Sequence, residues 1–246
     1  ASVNGFYFLG SRQEMLLERQ KRYHFSATKF KLARQAAQLF RLVPFIEMIA
    51  VSNIIGAHNL RDGSDIDLFI VTSPKRLWLT RLFCAGLAKI LGWRPTRDMK
   101  RNKICLSFYI SSDNLNLQSL KLNEADTYFN YWLAGLVPVY DRHRTYARLI
   151  AANSWLKECL PNWQELQVNS RMKKVNDGQM FSGVLNGWEK KTMNWQLKIM
   201  PTALKSLLNV DTRVRVGDKI IKLYLVDRRR EFLEKFSERL NQVLNK

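Results

Sequence analysis

The feature that most constrains this chain is the stretch 51–71, where two acids interrupt the start of an apolar strand. Val51-Ser52-Asn53-Ile54-Ile55-Gly56-Ala57-His58 opens a polar loop at the end of one strand, and Ser64-Asp65-Ile66-Asp67-Leu68-Phe69-Ile70-Val71 begins the next. Side chains alternate along a strand, so Asp65 and Asp67 share a face while Ile66 and Leu68 point into a core. Two carboxylates roughly 7 Å apart along the chain suit a hard divalent cation. Mg²⁺ takes one or two protein carboxylates together with substrate phosphates. The blander reading is a strand-entry turn with solvated acids, for which Gly63-Ser64 is ordinary chemistry. A calcium loop is excluded, because no glutamate closes a loop of about 12 residues begun at Asp62 or Asp65.

Around this stretch the pattern predicts a small mixed α/β sheet. Phe30, Ala33, Ala37, Phe40 and Leu42 recur near helical spacing over 28–43, with Thr28 as N-cap and Pro44 as terminator. The apolar run 45–51 is too short for a lone helix and reads as a buried strand. A helix follows over 73–91 with Gly92 as its stop, then a basic loop, then a strand over 103–110 with Ile104, Leu106, Phe108 and Ile110 on one face. Helix, strand, strand, helix, strand is the order of a mixed sheet with helices on one face. Beyond 120 the pattern turns helical: 123–136 capped by Asn123, 142–160, about 180–200 and 227–244, with 213–216 and 220–225 as short strands or another helix. The expected division is an N-terminal segment 1–25 holding a short strand or hairpin, a core 26–120, and a helical region 121–246.

In this core the sequence resembles the polymerase-β-type nucleotidyltransferases, in particular an uncharacterised bacterial branch of predicted nucleotidyltransferases. The likeness rests on Phe45-Ile46-Glu47-Met48-Ile49-Ala50-Val51, the loop, and Ser64-Asp65-Ile66-Asp67-Leu68-Phe69-Ile70-Val71. Weaker likeness runs through Arg76-Leu77-Trp78-Leu79-Thr80-Arg81-Leu82, the strand 103–110, and the segments around Gly5-Phe6-Tyr7-Phe8-Leu9 and 218–230. The resemblance implies that Asp65 and Asp67 hold Mg²⁺ against a nucleoside triphosphate. A nucleotidyl group would then pass to an acceptor as pyrophosphate leaves. It also implies phosphate contacts from Ser52, Asn53, Gly56 and Ser64. The family's Gly-Ser at the end of the first strand is here Asn53-Ile54, with Ser52 as the available substitute. The family's third carboxylate has no counterpart in 103–110, leaving Asp113 or Asp126 as candidates. The rival expectation is an inactive protein of the same fold that binds nucleic acid or a ribonucleoprotein. A glycosyltransferase of the Asp-x-Asp type ranks lower, because here an apolar run also follows the acids.

Charge supports an anionic partner on either reading: 40 basic residues against 21 acidic ones give a net +19, favouring nucleic acid or nucleotide phosphates. No run approaches the roughly 18 apolar residues of a membrane helix. The first residues carry no secretory pattern. Cys84, Cys105 and Cys159 lack metal-type spacing and read as buried reduced thiols, so a cytoplasmic setting is expected. His58 reads as a simple loop histidine. Most tryptophans, and the cluster Tyr128, Phe129, Tyr131 and Trp132, read as core, with a nucleobase platform as the alternative for the cluster.

Overall fold

The structure, a computed structural model, describes residues 2–3, 5–8, 12, 14–52, 58–96, 98–170 and 182–245. Strands β1 (Ser2–Val3) and β2 (Phe6–Tyr7) form the expected N-terminal hairpin. Helix α1 (Glu14–Phe40) is far longer than the predicted 28–43 and absorbs most of the expected N-terminal connection. Thr28 lies inside it, and its hydroxyl donates to the carbonyl of His24 instead of capping. The helix ends at Phe40 because the next amides tighten onto the carbonyls of Leu39 and Phe40 ahead of Pro44.

A six-stranded mixed sheet follows, built from β3 (Ile46–Val51), β4 (Ile66–Thr72), β5 (Ile104–Ser111), β6 (Val137–Asp141), β7 (Val214–Val216) and β8 (Ile220–Leu223). Its order is β6-β3-β4-β5-β8-β7. Only β4 and β5 run parallel, joined by the crossover helix α2 (Leu77–Ile90). Gly92, with φ +64°, stops α2 as expected. Pro138 lies in the edge strand β6, where a missing N–H costs no ladder bond on the open side.

The sheet separates two apolar cores. On one side α1 and α2 pack on Ile49, Val51, Ile66, Leu68 and Leu106. On the other, α3 (Thr127–Ala134), α4 (Thr145–Ala152) and α5 (Trp155–Cys159) cover Met48, Ala50, Phe69, Val71 and Phe108. Helices α1 and α2 thus cover one face and α3–α5 the other, while the region beyond 120 adds three strands. The cap of α3 is Asp126, which accepts from the Phe129 amide at 3.0 Å, and not Asn123. The predicted helix 142–160 divides at Asn153. Its buried side chain bonds the Leu117 amide and the carbonyls of Leu115 and Leu149.

Helix α6 (Ser182–Lys198) lies against α2 and lends it a cap: the Glu189 carboxylate accepts from the amides of Trp78 and Leu79 at 2.7 and 3.0 Å. Trp188 and Trp195 are about half exposed rather than core, because α6 buries only the face turned to α2. A short turn, α7 (Thr202–Lys205), precedes β7, and α8 (Arg229–Leu244) closes the chain. Among the described residues no helix is long and apolar enough to cross a membrane.

Candidate metal and nucleotide site

Alternation in β4 does what the sequence predicts. Ile66 and Leu68 enter the α1/α2 core, which turns Asp67 to the opposite face beside Phe69. In the parallel ladder Asp67 pairs with Cys105, while Phe69 pairs with Phe108, so β5 carries an extra residue at that point. This bulge splits the predicted face of β5: Ile104 and Leu106 join one core, and Phe108 and Ile110 the other. It also leaves Cys105 on the face of the acids. One ligand atom each from Asp65, Asp67 and Cys105 lies within 4.8 Å of the others.

That trio corrects the search for a third acid. Asp126 caps α3 and pairs with Arg229 at 2.9 Å, and Asp113 pairs with Lys219 at 3.0 Å beyond the far end of β5. Among the described residues no third carboxylate joins the pair at metal-ligand distance; a thiol does. Two carboxylates fit Mg²⁺, whereas a sulfur donor does not. Burial pushes the Asp65 carboxyl above the usual range, against the pull of Lys100 and Lys29. Burial, then the Asp67 charge, pushes the Cys105 thiol far up, so it is a neutral thiol with its sulfur 3.0 Å from the Ser107 hydroxyl. Cys105 is half-buried and Cys159 exposed at the end of α5; only Cys84 is the buried thiol expected of all three.

The loop that delivers the acids is held by side chains spaced three and four apart along one face of α1. Arg19 donates to the His58 carbonyl at 2.6 Å and Arg22 to the Asn59 side chain at 3.3 Å. The Ser26 hydroxyl accepts from the Leu60 amide at 3.0 Å. The Lys29 ammonium, 1 % exposed, donates to the carbonyls of Asp62 and Ser64 and to the Asn102 side chain at 2.7–2.8 Å. Burial pulls that ammonium below its usual range. His58 stacks on Tyr23 of α1, which fits a loop histidine. Sequence reasoning missed this clamp. Its one visible signal is a lysine and a serine in phase with Ala33, Ala37 and Phe40.

Ser52, fully buried at the end of β3, bonds the Asp67 carbonyl through its amide at 3.0 Å. The Ser64 hydroxyl closes the turn on the Arg61 carbonyl at 2.8 Å. Asn53 and Gly56 lie outside the described residues.

Ser52 and Asp67 open onto a cavity of about 370 Å³, within the roughly 300–1,000 Å³ of ligand sites. Tyr128, Trp132, Tyr224 and Phe232 give it aromatic walls, and Lys222, Arg228 and Arg229 give it cations. Trp132 is committed to the core, stacked on Phe108 and Phe129. Tyr128 and Tyr131, expected in the core, are 44 % and 62 % exposed, and Tyr128 stacks on Phe232 at 5.3 Å. Arg229 is also committed: it bonds Asp126, Asp227, Thr212 and the Leu120 carbonyl. Lys222, 5 % exposed, is drawn down to about 8 by burial and the Arg229 charge. Comparison of the chain with protein-family models, curated proteins and solved structures gives no match.

Proposed function

We propose that the protein binds a nucleoside triphosphate with a divalent cation at Asp65 and Asp67, and that this complex is the donor in nucleotidyl transfer to an acceptor. The observation that carries the reading is that the acid pair meets an aromatic, cationic cavity at Asp67. Asp65 and Asp67 would hold the cation, which when bound neutralises phosphate charge. Tyr128, Phe232 and Tyr224 line the cavity and would give a base aromatic contact. Lys222 and Arg228 offer charge to phosphates, and Ser52 places its hydroxyl beside Asp67.

A second reading is favoured by one observation: where the family's third carboxylate belongs, the trio carries a thiol. Among the described residues no third acid there is placed to take the acceptor's proton. On that reading the protein is an inactive member of the fold that binds nucleic acid or a ribonucleoprotein through its basic surface. Calorimetry with each nucleoside triphosphate, with and without Mg²⁺, tests the first reading. Binding that needs the cation and disappears in Asp65→Asn/Asp67→Asn is the expected result. No binding in either protein would overturn it. Pyrophosphate release with an added acceptor then separates transferase from binder.

A further inference from the structure

The third arm of the acid cluster is a sulfur on a neighbouring strand, and its surroundings differ from those of a packing residue. Ile104 and Leu106, on either side of it, belong to the core on the opposite face of the sheet, and Cys105 belongs to neither apolar core. Cys84, by contrast, is a core residue with zero exposure. The ladder pairing Asp67↔Cys105 fixes the thiol beside the carboxylate, and the bulge that follows keeps it there while the rest of β5 turns over.

We propose that Cys105 is a metal ligand, and that Asp65, Asp67 and Cys105 form one site that prefers a borderline dication such as Zn²⁺ or Co²⁺ to Mg²⁺. The proposal rests on the preceding reading for the two aspartates and adds the sulfur donor and the class of ion. Donor atoms at about 2.0–2.3 Å from a tetrahedral ion lie about 3.3–3.8 Å apart. The three donor atoms lie within 4.8 Å of one another, so the side chains must draw together by about 1 Å to close on an ion. Zn²⁺ and Co²⁺ accept thiolate and carboxylate together, whereas Mg²⁺ demands oxygen in a near-ideal octahedron. Three protein ligands leave a fourth position open, the pattern of a reactive rather than a structural zinc site. Asp67 lines the cavity, so an ion held by the trio would be reachable by a phosphate or water that enters there. On binding, the sulfur–hydrogen bond is exchanged for a sulfur–metal bond and the proton passes to solvent.

The test uses the full chain carrying Cys159→Ser, which removes the exposed thiol. Titration with Co²⁺ should give one equivalent of a near-ultraviolet sulfur-to-cobalt charge-transfer band. Zn²⁺ should abolish the band by displacement, and a large excess of Mg²⁺ should not. Cys105→Ser should lose the band and at least about tenfold of the Zn²⁺ affinity. Cys105→Asp should lose the band and let Mg²⁺ compete. A Zn²⁺-dependent rise in melting temperature in the parent protein provides a readout that needs no further variant to fold. Co²⁺ bound without the band would overturn the sulfur ligand and leave the two aspartates as a metal site. A band that survives in Cys105→Ser would place the sulfur at Cys84 and also overturn it. Failure to bind any of the three ions would overturn this proposal and the metal reading beneath it.

Discussion

Lys222 shows how one residue couples the cavity to pH. Its ammonium is costly where it sits, because burial and then the Arg229 charge disfavour it, while Asp227, Asp126 and Asp211 oppose that effect. The folded-state value of about 8 lies below the roughly 10.4 of an unfolded lysine. Below about pH 8 the lysine is charged in both states and its penalty on the fold is complete. Between about 8 and 10.4 the penalty is relieved as the folded lysine releases its proton. This group's contribution to stability therefore rises with pH across that window. On the proposed reading Lys222 meets phosphate as a cation, so nucleotide affinity should fall as pH rises through about 8. Lys222→Met should flatten that fall. Fluorescence titrations from about pH 7 to 9 check it, and equal slopes for the two proteins would remove Lys222 from the phosphate contact. Asp65 and Asp67 were legible because alternation needs only neighbouring residues. Cys105 was not, because its meaning depends on which residue of β4 it pairs with and on a bulge. Lys29 was missed because lysine is ordinarily a surface residue, and only the three acceptors around it make its burial tolerable.

Among the elements, α8 is held mainly by its first residue. Arg229 spends its donors on Asp126, Asp227, Thr212 and the Leu120 carbonyl, and its guanidinium lies over the Phe129 ring at 5.6 Å. Beyond it, Phe232 and Phe236 are about half exposed and Val243 and Leu244 more so. Arg229→Ala strands Asp126 and Asp227 in a buried setting and should cost about 3–5 kcal/mol. Urea unfolding measures this, and a loss below about 1 kcal/mol would show that the network relaxes without penalty. The helices α2, α6 and α8 follow sequence signals closely, because their apolar spacing and breakers are local. Helix α1 does not: its first half earns its conformation from the loop it clamps, through Arg19, Arg22, Ser26 and Lys29, and shows little apolar stripe of its own. The strands β7 and β8 were ambiguous because three or four residues carry too little periodicity to choose a period.

At the scale of the whole molecule, the net charge of +19 sets the expected behaviour toward polyanions. If nucleic acid is the acceptor or partner, log affinity should fall linearly with log salt, steeply enough to report several phosphate contacts. Filter binding of single- and double-stranded RNA and DNA across a salt series checks this, and a flat response would exclude the basic surface as the contact. The sheet order has a separate consequence for how the protein is made. β5 pairs with β8 through Ile110 and Ile220, and the last cavity walls come from Tyr224 to Phe232. Asp67, with Asp65 and Cys105 beside it, emerges from the ribosome long before residues 224–232, which complete the cavity it lines. Such distant pairing closes late, at a high entropic cost. A nascent chain therefore passes through a stage in which Asp67 and its neighbours stand in the sheet without the aromatic and cationic walls that residues 224–232 later add.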